Sequence, residues 1–356
     1  MPKTAKFFRR SVTVALPLLC AALLEIPVFA QGCVQSRGAG GGMFMECGDP
    51  YLNSGDWQAA IGYRWLHSDR HFIGDREQPQ RQANGDQVIN DSHFIDLTAT
   101  YALSKRVSLN LTIPFVVSER SSKYEHLGNS PSNPRFSTYA SGLADLRLTS
   151  TIWLFKPETH HDGNLALGVG MKFPTGDYEA TDTFQKRTGP TVGFVDQSIQ
   201  PGDGGWGVIL EAQGFQKIVK NTFAYMQASY LINPQEKNPN RPESTGYSIP
   251  DSYLMRLGLS YAIWPSQGLV LSLGGRMEGV PVTDWFGGSE GSRRPGFAVS
   301  IEPGIIWTRK KLSVGVTAPV ALYRNRERSV SDIRSGGHGD AAFADFIITS
   351  SITYRF

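Results

Sequence analysis

The stretch RVSLNLTIPFV, residues 106–116, decides the fold. Val107, Leu109, Leu111, Ile113 and Phe115 alternate with Ser108, Asn110 and Thr112. Successive side chains of a strand point to opposite faces, so this spacing sets one apolar face against one polar face.

The same period recurs. Residues 57–66 put Trp57, Ala59, Ile61, Tyr63 and Trp65 on one side. Residues 164–173 set Leu165, Leu167, Val169, Met171 and Phe173 against Ala166, Gly168, Gly170 and Lys172. Residues 252–264 set Tyr253, Met255, Leu257, Leu259 and Tyr261 against Arg256, Gly258 and Ser260. Counted through to FIITSSITYRF at 346–356, the chain offers twelve such segments. One of them, FAYMQASYLI at 223–232, carries aromatics on both faces and leaves its register open.

The connections sort by length. After the even-numbered segments they are short, such as SK at 104–105 and PSQ at 265–267. After the odd-numbered ones they are long and polar, such as 67–92 and 118–141. Short turns at one end and long loops at the other are the wiring of bacterial outer-membrane barrels. A soluble β-sandwich has no reason to sort its loops this way. Aromatic residues also gather at segment ends: Trp57, Tyr101, Tyr261, Trp307, Tyr354 and Phe356 at one rim, Tyr63, Phe115, Trp206 and Phe297 at the other. Amphipathic rings collect at both water–lipid interfaces. The expected fold is therefore all-β: a transmembrane antiparallel outer-membrane β-barrel of about twelve strands over residues 56–356, with both termini periplasmic.

Residues 1–30 read as a secretory signal peptide. Lys3, Lys6, Arg9 and Arg10 precede a short apolar core, and Val28 and Ala30 stand before the expected cut. The formal charge of +3 belongs to this leader, because without it Lys+Arg and Asp+Glu balance. A balanced chain excludes a basic nucleic-acid binder. Export to an oxidising compartment makes Cys33 and Cys47 a disulfide closing a Gly-rich loop, within a segment 31–55 that hangs in the periplasm or plugs the barrel.

If the apolar faces meet lipid, the other faces line a lumen. Its charged candidates are Arg64, Asp96, Asp145, Arg147, Lys172, Glu211, Arg256, Arg276, Glu278, Glu302, Asp345 and Arg355, six bases and six acids. That balance argues against a filter selecting ions by sign. These side chains either pair across strands and stiffen the wall or form a constriction. The histidines lie mainly outside the alternating segments, as at HHD 160–162, and no nucleophile–base pair stands at strand spacing. Neither an enzyme nor a metal or cofactor site is expected. The last strand must pair with the first to remove both sheet edges. Tyr354 and Phe356 at its end have the form of the signal by which such barrels are handed to the assembly machinery.

Three further stretches carry a resemblance: SGLADLRLTSTIWL (141–154), GMKFPTGDYEA (170–180) and QPGDGGWGV (200–208). They resemble the bacterial outer-membrane transporter family of the MetA pathway of phenol degradation, over roughly residues 94–356. The chain departs where Ala144 stands at a position usually Gly. The resemblance implies a β-barrel passing small solutes, hydrophobic or aromatic ones among them. A structural or adhesive surface protein is the alternative. In either case the expected location is the bacterial outer membrane, with lipid, assembly machinery and, for a channel, a small-molecule solute as partners.

Overall fold

The computed structural model describes residues 50–238, 246–344 and 346–356. The leader, Cys33, Cys47 and Asp345 lie outside the described residues.

Twelve antiparallel strands close into one barrel. They are β1 (Trp57–Ser68), β2 (Ile89–Ala102), β3 (Val107–Ser122), β4 in two pieces (Phe136–Leu143 and Leu146–Trp153), β5 (Gly163–Phe173) and β6 (Gly207–Val219). They continue with β7 (Thr222–Ile232), β8 (Ser252–Trp264), β9 (Leu269–Val280), β10 (Gly296–Arg309), β11 in two pieces (Leu312–Thr317 and Val320–Arg326) and β12 (Phe346–Arg355). Each pairs with its neighbours in sequence, and β1 pairs with β12 from Gln58↔Arg355 to His67↔Phe346. Closure leaves no edge carbonyl or amide to face hydrocarbon. No helix among the described residues is long and apolar enough to cross a membrane.

The exterior is what lipid requires. Outward positions of β3 and β8 are exposed, with Leu111 at 41% and Leu257 at 56%, while Thr112 and Arg256 beside them are buried. A soluble domain does not present an apolar band of this extent to water. Twelve residues of β1, at about 3.3 Å each and tilted by roughly 45°, rise roughly 28 Å, the thickness of a bilayer's apolar core.

The strand with two candidate faces is resolved by its neighbours. Tyr225 pairs with Phe215 on β6 and Gly258 on β8, both inward, whereas Tyr230 pairs with outward Tyr253. Phe223 and Tyr225 therefore turn into the barrel and Tyr230 faces out. Gly258 is needed here: a Cβ on it would lie 2.6 Å from the Tyr225 hydroxyl.

The short turns lie at one end. Asn221 and Lys310 take positive φ in the tightest of them, β6–β7 and β10–β11. The long connections at the other end fold over the barrel mouth. Strands Arg70–Ile73, Arg76–Glu77 and Ala341–Phe343 form a small sheet there, and Thr181–Lys186 pairs with Gly189–Phe194 in a hairpin. Residues 195–203 are drawn deeply in, with Val195 and Ile199 buried against Ala140.

Candidate functional site

The interior is built from the inward positions of the strands, and three levels can be followed from the short-turn end upward.

The lowest level is a chamber of about 210 Å³. Its walls are ladders of small hydroxyl and amide side chains. Thr98 bonds Thr112 (3.0 Å), Thr100 donates to Asn110 (2.8 Å) and Ser108 bonds Thr151 (2.7 Å). Arg355 reaches the rim, where its Nε donates to Gln58 Oε1 at 3.2 Å. One side of the mouth is aromatic. Tyr51, just ahead of β1, packs on Trp153 and Phe215 at ring distances of 5.2 and 6.1 Å and donates to the His160 carbonyl at 2.5 Å. Pro50 and Leu52 line the same chamber. The chain thus enters β1 from inside the barrel mouth. Alternation alone does not reveal this cluster, because Tyr51 lies ahead of the strands and no single strand's pattern says which inward rings meet.

The middle level is a belt of charge. Arg256 on β8 and Arg276 on β9 stand directly opposite each other in register. Like charges in that position repel unless something bridges them. Glu302 on β10 supplies the bridge. It takes Arg256 Nε at 2.9 Å and Nη2 at 2.7 Å, approaches Arg276 at 3.9 Å, and accepts from Thr317 at 2.9 Å. Glu278 clasps Arg276 with bonds of 3.1 and 2.8 Å. The lateral partner of Glu302 is Gly274 and the next is Gly258, and the space they leave is filled by the Tyr225 hydroxyl, 2.5 Å from where a Cβ on Gly274 would lie. On the facing wall Arg64 lies 4.3 Å over the Phe94 ring, and it interacts with Asp96 beside it and with Glu278 opposite. Arg147 on β4 faces Glu211 on β6, which also bonds Thr149. Four arginines and four carboxylates share this level.

Arg147 and Lys172 form a second pair of cations in direct register. Lys172 Nζ turns to Asp203 at 2.5 Å and Asp145 at 3.7 Å. Asp145 in turn accepts the amide of Gly176 at 3.0 Å and that of Asp203 at 3.3 Å. Thus the three stretches that carried the family resemblance meet at one point. It is the break in β4 between Leu143 and Leu146. The backbones touch: a Cβ on Gly176 would lie 2.8 Å from Gly202 Cα and 2.9 Å from Ala144 Cα. Glycine at 176 and 202 is required by this approach. The motifs build a junction in the wall.

The upper level is closed by loops. Arg120 at the top of β3 grips Glu125 (3.0 Å), Asn90 (3.2 Å) and Ser198 (3.3 Å). Arg294 binds Asp196 with both Nη atoms at 2.8 and 2.7 Å. Burial alone would raise the Asp196 carboxyl, but Arg120 and Arg294 hold it well below the usual carboxylate range. Beneath this cap lies a pocket of about 80 Å³, bounded by Asp145, Lys172, Ser198 and Asn233.

Of the twelve charged candidates from the sequence, Arg64, Asp96, Arg147, Glu211, Arg256, Arg276, Glu278 and Glu302 come together in the belt. Asp145 and Lys172 sit at the wall junction above it, and Arg355 lies apart from both, at the lower rim beside Gln58. Among the described residues no group of three or more metal-ligating side chains gathers.

A closed antiparallel barrel with an apolar exterior and a polar, charge-belted interior is an outer-membrane β-barrel. Solved structures agree at the level of fold. The COG4313 outer membrane channel from Pseudomonas putida F1 is 15% identical and superposes with a TM-score of 0.55 over 86% of this chain and 97% of that one. More distant are the beta domain of the Bordetella autotransporter BrkA (11% identity, TM-score 0.44, 85% and 100% covered) and the CymD monoaromatic hydrocarbon channel (9%, 0.41, 93% and 99%). No family model matches the chain, and no curated protein matches it in sequence.

Proposed function

We propose that the protein is an outer-membrane channel for passive passage of small solutes, with the short-turn rim in the periplasm and the long loops outside. The observation that carries this is the interior itself. A barrel serving only as a scaffold or adhesin has no need of a hydroxyl-lined chamber at one end and a charge belt spanning its waist. Buried charges cost several kcal/mol each to desolvate even when paired, so a purely structural core would favour apolar filling. The COG4313 protein is described as a channel, and its likeness to this chain in fold supports the same reading.

Residues 31–55 are proposed as a partial plug of the short-turn mouth, a reading supported by the packing of Tyr51 on Trp153 and Phe215. Tyr354 and Phe356 are proposed as the part of the closing strand that the assembly machinery reads. Phe356 is exposed at the lipid-facing rim, its amide bonded to the Trp57 carbonyl at 2.8 Å. No catalytic role is assigned.

The test is conductance in planar bilayers together with swelling of proteoliposomes. Discrete conductance steps and solute uptake are expected from folded barrels, and deletion of residues 31–49 should raise the conductance. A folded barrel that passes no ion and no solute would overturn the channel reading. Unchanged conductance after the deletion would overturn the plug alone.

A further inference from the structure

The short turns are not alike in charge. Three of them stand side by side, those joining β6 to β7, β8 to β9 and β10 to β11. The Ala262 amide donates to the Asn221 carbonyl at 2.9 Å, and the Thr308 amide donates to the Gly268 carbonyl at 2.9 Å. Gly268 makes the second contact possible: its φ is +70°, and a Cβ on it would overlap the Thr308 carbonyl. Across QKIVKNT (216–222), IWPSQG (263–268) and TRKKL (308–312) there are five bases and no acid. Lys217 is matched by Asp162 of the β4–β5 turn at 2.9 Å, as Lys105 on that side is matched by Glu158 at 3.7 Å. Lys220, Arg309, Lys310 and Lys311 are exposed and make no ion pair among the described residues. We propose that this arc holds the headgroups of net-negative phospholipids, of which phosphatidylglycerol is the probe, in the leaflet around the short-turn rim. That this leaflet is the periplasmic one rests on the orientation given above; the lipid preference does not.

The position of the cations favours lipid over a partner lying away from the membrane. Arg309 continues the outward row of β10 that holds Ile305 and Trp307, so its stem runs along the lipid-facing wall. Ile218, Val219, Ile263 and Trp264 are exposed at the same rim. A band of aromatic and aliphatic side chains with cations at its edge matches the boundary between acyl chains and phosphates. Arg309, Lys310 and Lys311 are also consecutive, so they repel one another until an anion lies among them. Each cation held near an anionic lipid surface favours the contact about fivefold. A neutral zwitterionic headgroup offers the same phosphate but cancels it with its own ammonium, and gains much less.

The test uses the purified full-length barrel in detergent with equal amounts of phosphatidylglycerol and phosphatidylethanolamine, the lipids retained being counted by native mass spectrometry. The wild-type protein should retain phosphatidylglycerol several-fold over phosphatidylethanolamine. The variant Lys220→Gln, Arg309→Gln, Lys310→Asn, Lys311→Gln should lose that preference. Asn is used at 310 because the residue has a φ of +56°, which Asn tolerates. The control Lys105→Gln, Lys156→Gln removes two other short-turn cations and should keep it. Folding is checked by heat-modifiable migration, and Arg309→Gln with Lys311→Gln serves if the fourfold variant does not fold. Equal retention of the two lipids by the wild-type protein overturns the proposal, as does an unchanged preference in the folded variant. Equal loss in the control would make the effect one of total charge and overturn the arc. Sedimentation with peptidoglycan sacculi that needs the same four residues, without a lipid preference, would assign the arc to the cell wall instead. A thiol at Ser266→Cys, probed with an impermeant maleimide, should react only in permeabilised cells. Reaction in intact cells would overturn the orientation and the leaflet, while the lipid counts would stand.

Discussion

At the scale of the residue, Glu302 bears the most consequence. It is 1% exposed and touches two arginines that face each other in register. Replacing it by Gln leaves that pair without its bridge. Removing one partner of a buried ion pair costs about 3–5 kcal/mol, whereas replacing a whole pair by apolar groups of similar volume can be neutral. E302Q should therefore lower the urea midpoint of unfolding clearly, and the double variant R256M/E302L should recover a large part of the loss. Equal destabilisation by the two would mean that the stranded charge does not set the cost. This belt was half legible in the sequence. Alternation placed Arg256, Arg276 and Glu302 on one face, but which of them meet depends on the registers between three strands, and no single strand's pattern states a register.

At the scale of the element, the hairpin Thr181–Lys186 with Gly189–Phe194 is tied to the loop after β3 through His126. The Gln185 amide donates to His126 Nδ1 at 3.0 Å, and the ring lies 5.5 Å from Phe136 and 5.4 Å from Phe184. Accepting that bond requires an unprotonated Nδ1. Burial, opposed by Glu125 and Asp182 and aided by Lys186, lowers the His126 pKa below its ordinary 6.5. A histidine with a depressed folded value favours the docked state above its ordinary pKa, and that favour is lost as pH falls below it. Exchange of the Gln185 amide, corrected for its intrinsic rate, should quicken as pH falls below about 6.5. The His126→Asn variant should flatten that dependence; an unchanged pH profile in it would place the titrating group elsewhere. Loops of this kind were opaque in the sequence, since residues 118–141 and 174–206 show no period. The strands themselves were legible, because lipid imposes a period of two on every outward position. Where both faces carried rings, as in β7, only the neighbouring Gly258 and Tyr253 decided.

At the scale of the whole molecule, the architecture was open to reading from the sorting of short and long connections, a consequence of one rim facing each side of a membrane. The filling of the barrel was not, because Tyr51 lies ahead of the first alternating segment, and which of the inward rings Trp153, Phe215 and Tyr225 meet is not written in any one strand. Closure itself yields an expectation. Phe356→Ala and Tyr354→Ala together should reduce the fraction of heat-modifiable barrel recovered from membranes. Conductance per folded barrel should stay unchanged, since both rings stand outside the lumen. A fall in unit conductance with normal recovery would reverse that assignment.

The seam between β1 and β12 also governs time. Gln58 and Arg355 are 297 residues apart, yet their side chains bond. Pairings between residues so remote in sequence are slow to form, because the loop they close must first be gathered at an entropic cost. No barrel of this kind can be sealed until its final strand is available. Until then β1 presents an unpaired edge, and every nascent copy is open to pairing with another. The long wait, more than the strength of any contact in the finished wall, sets how much protection the chain needs on its way to the membrane.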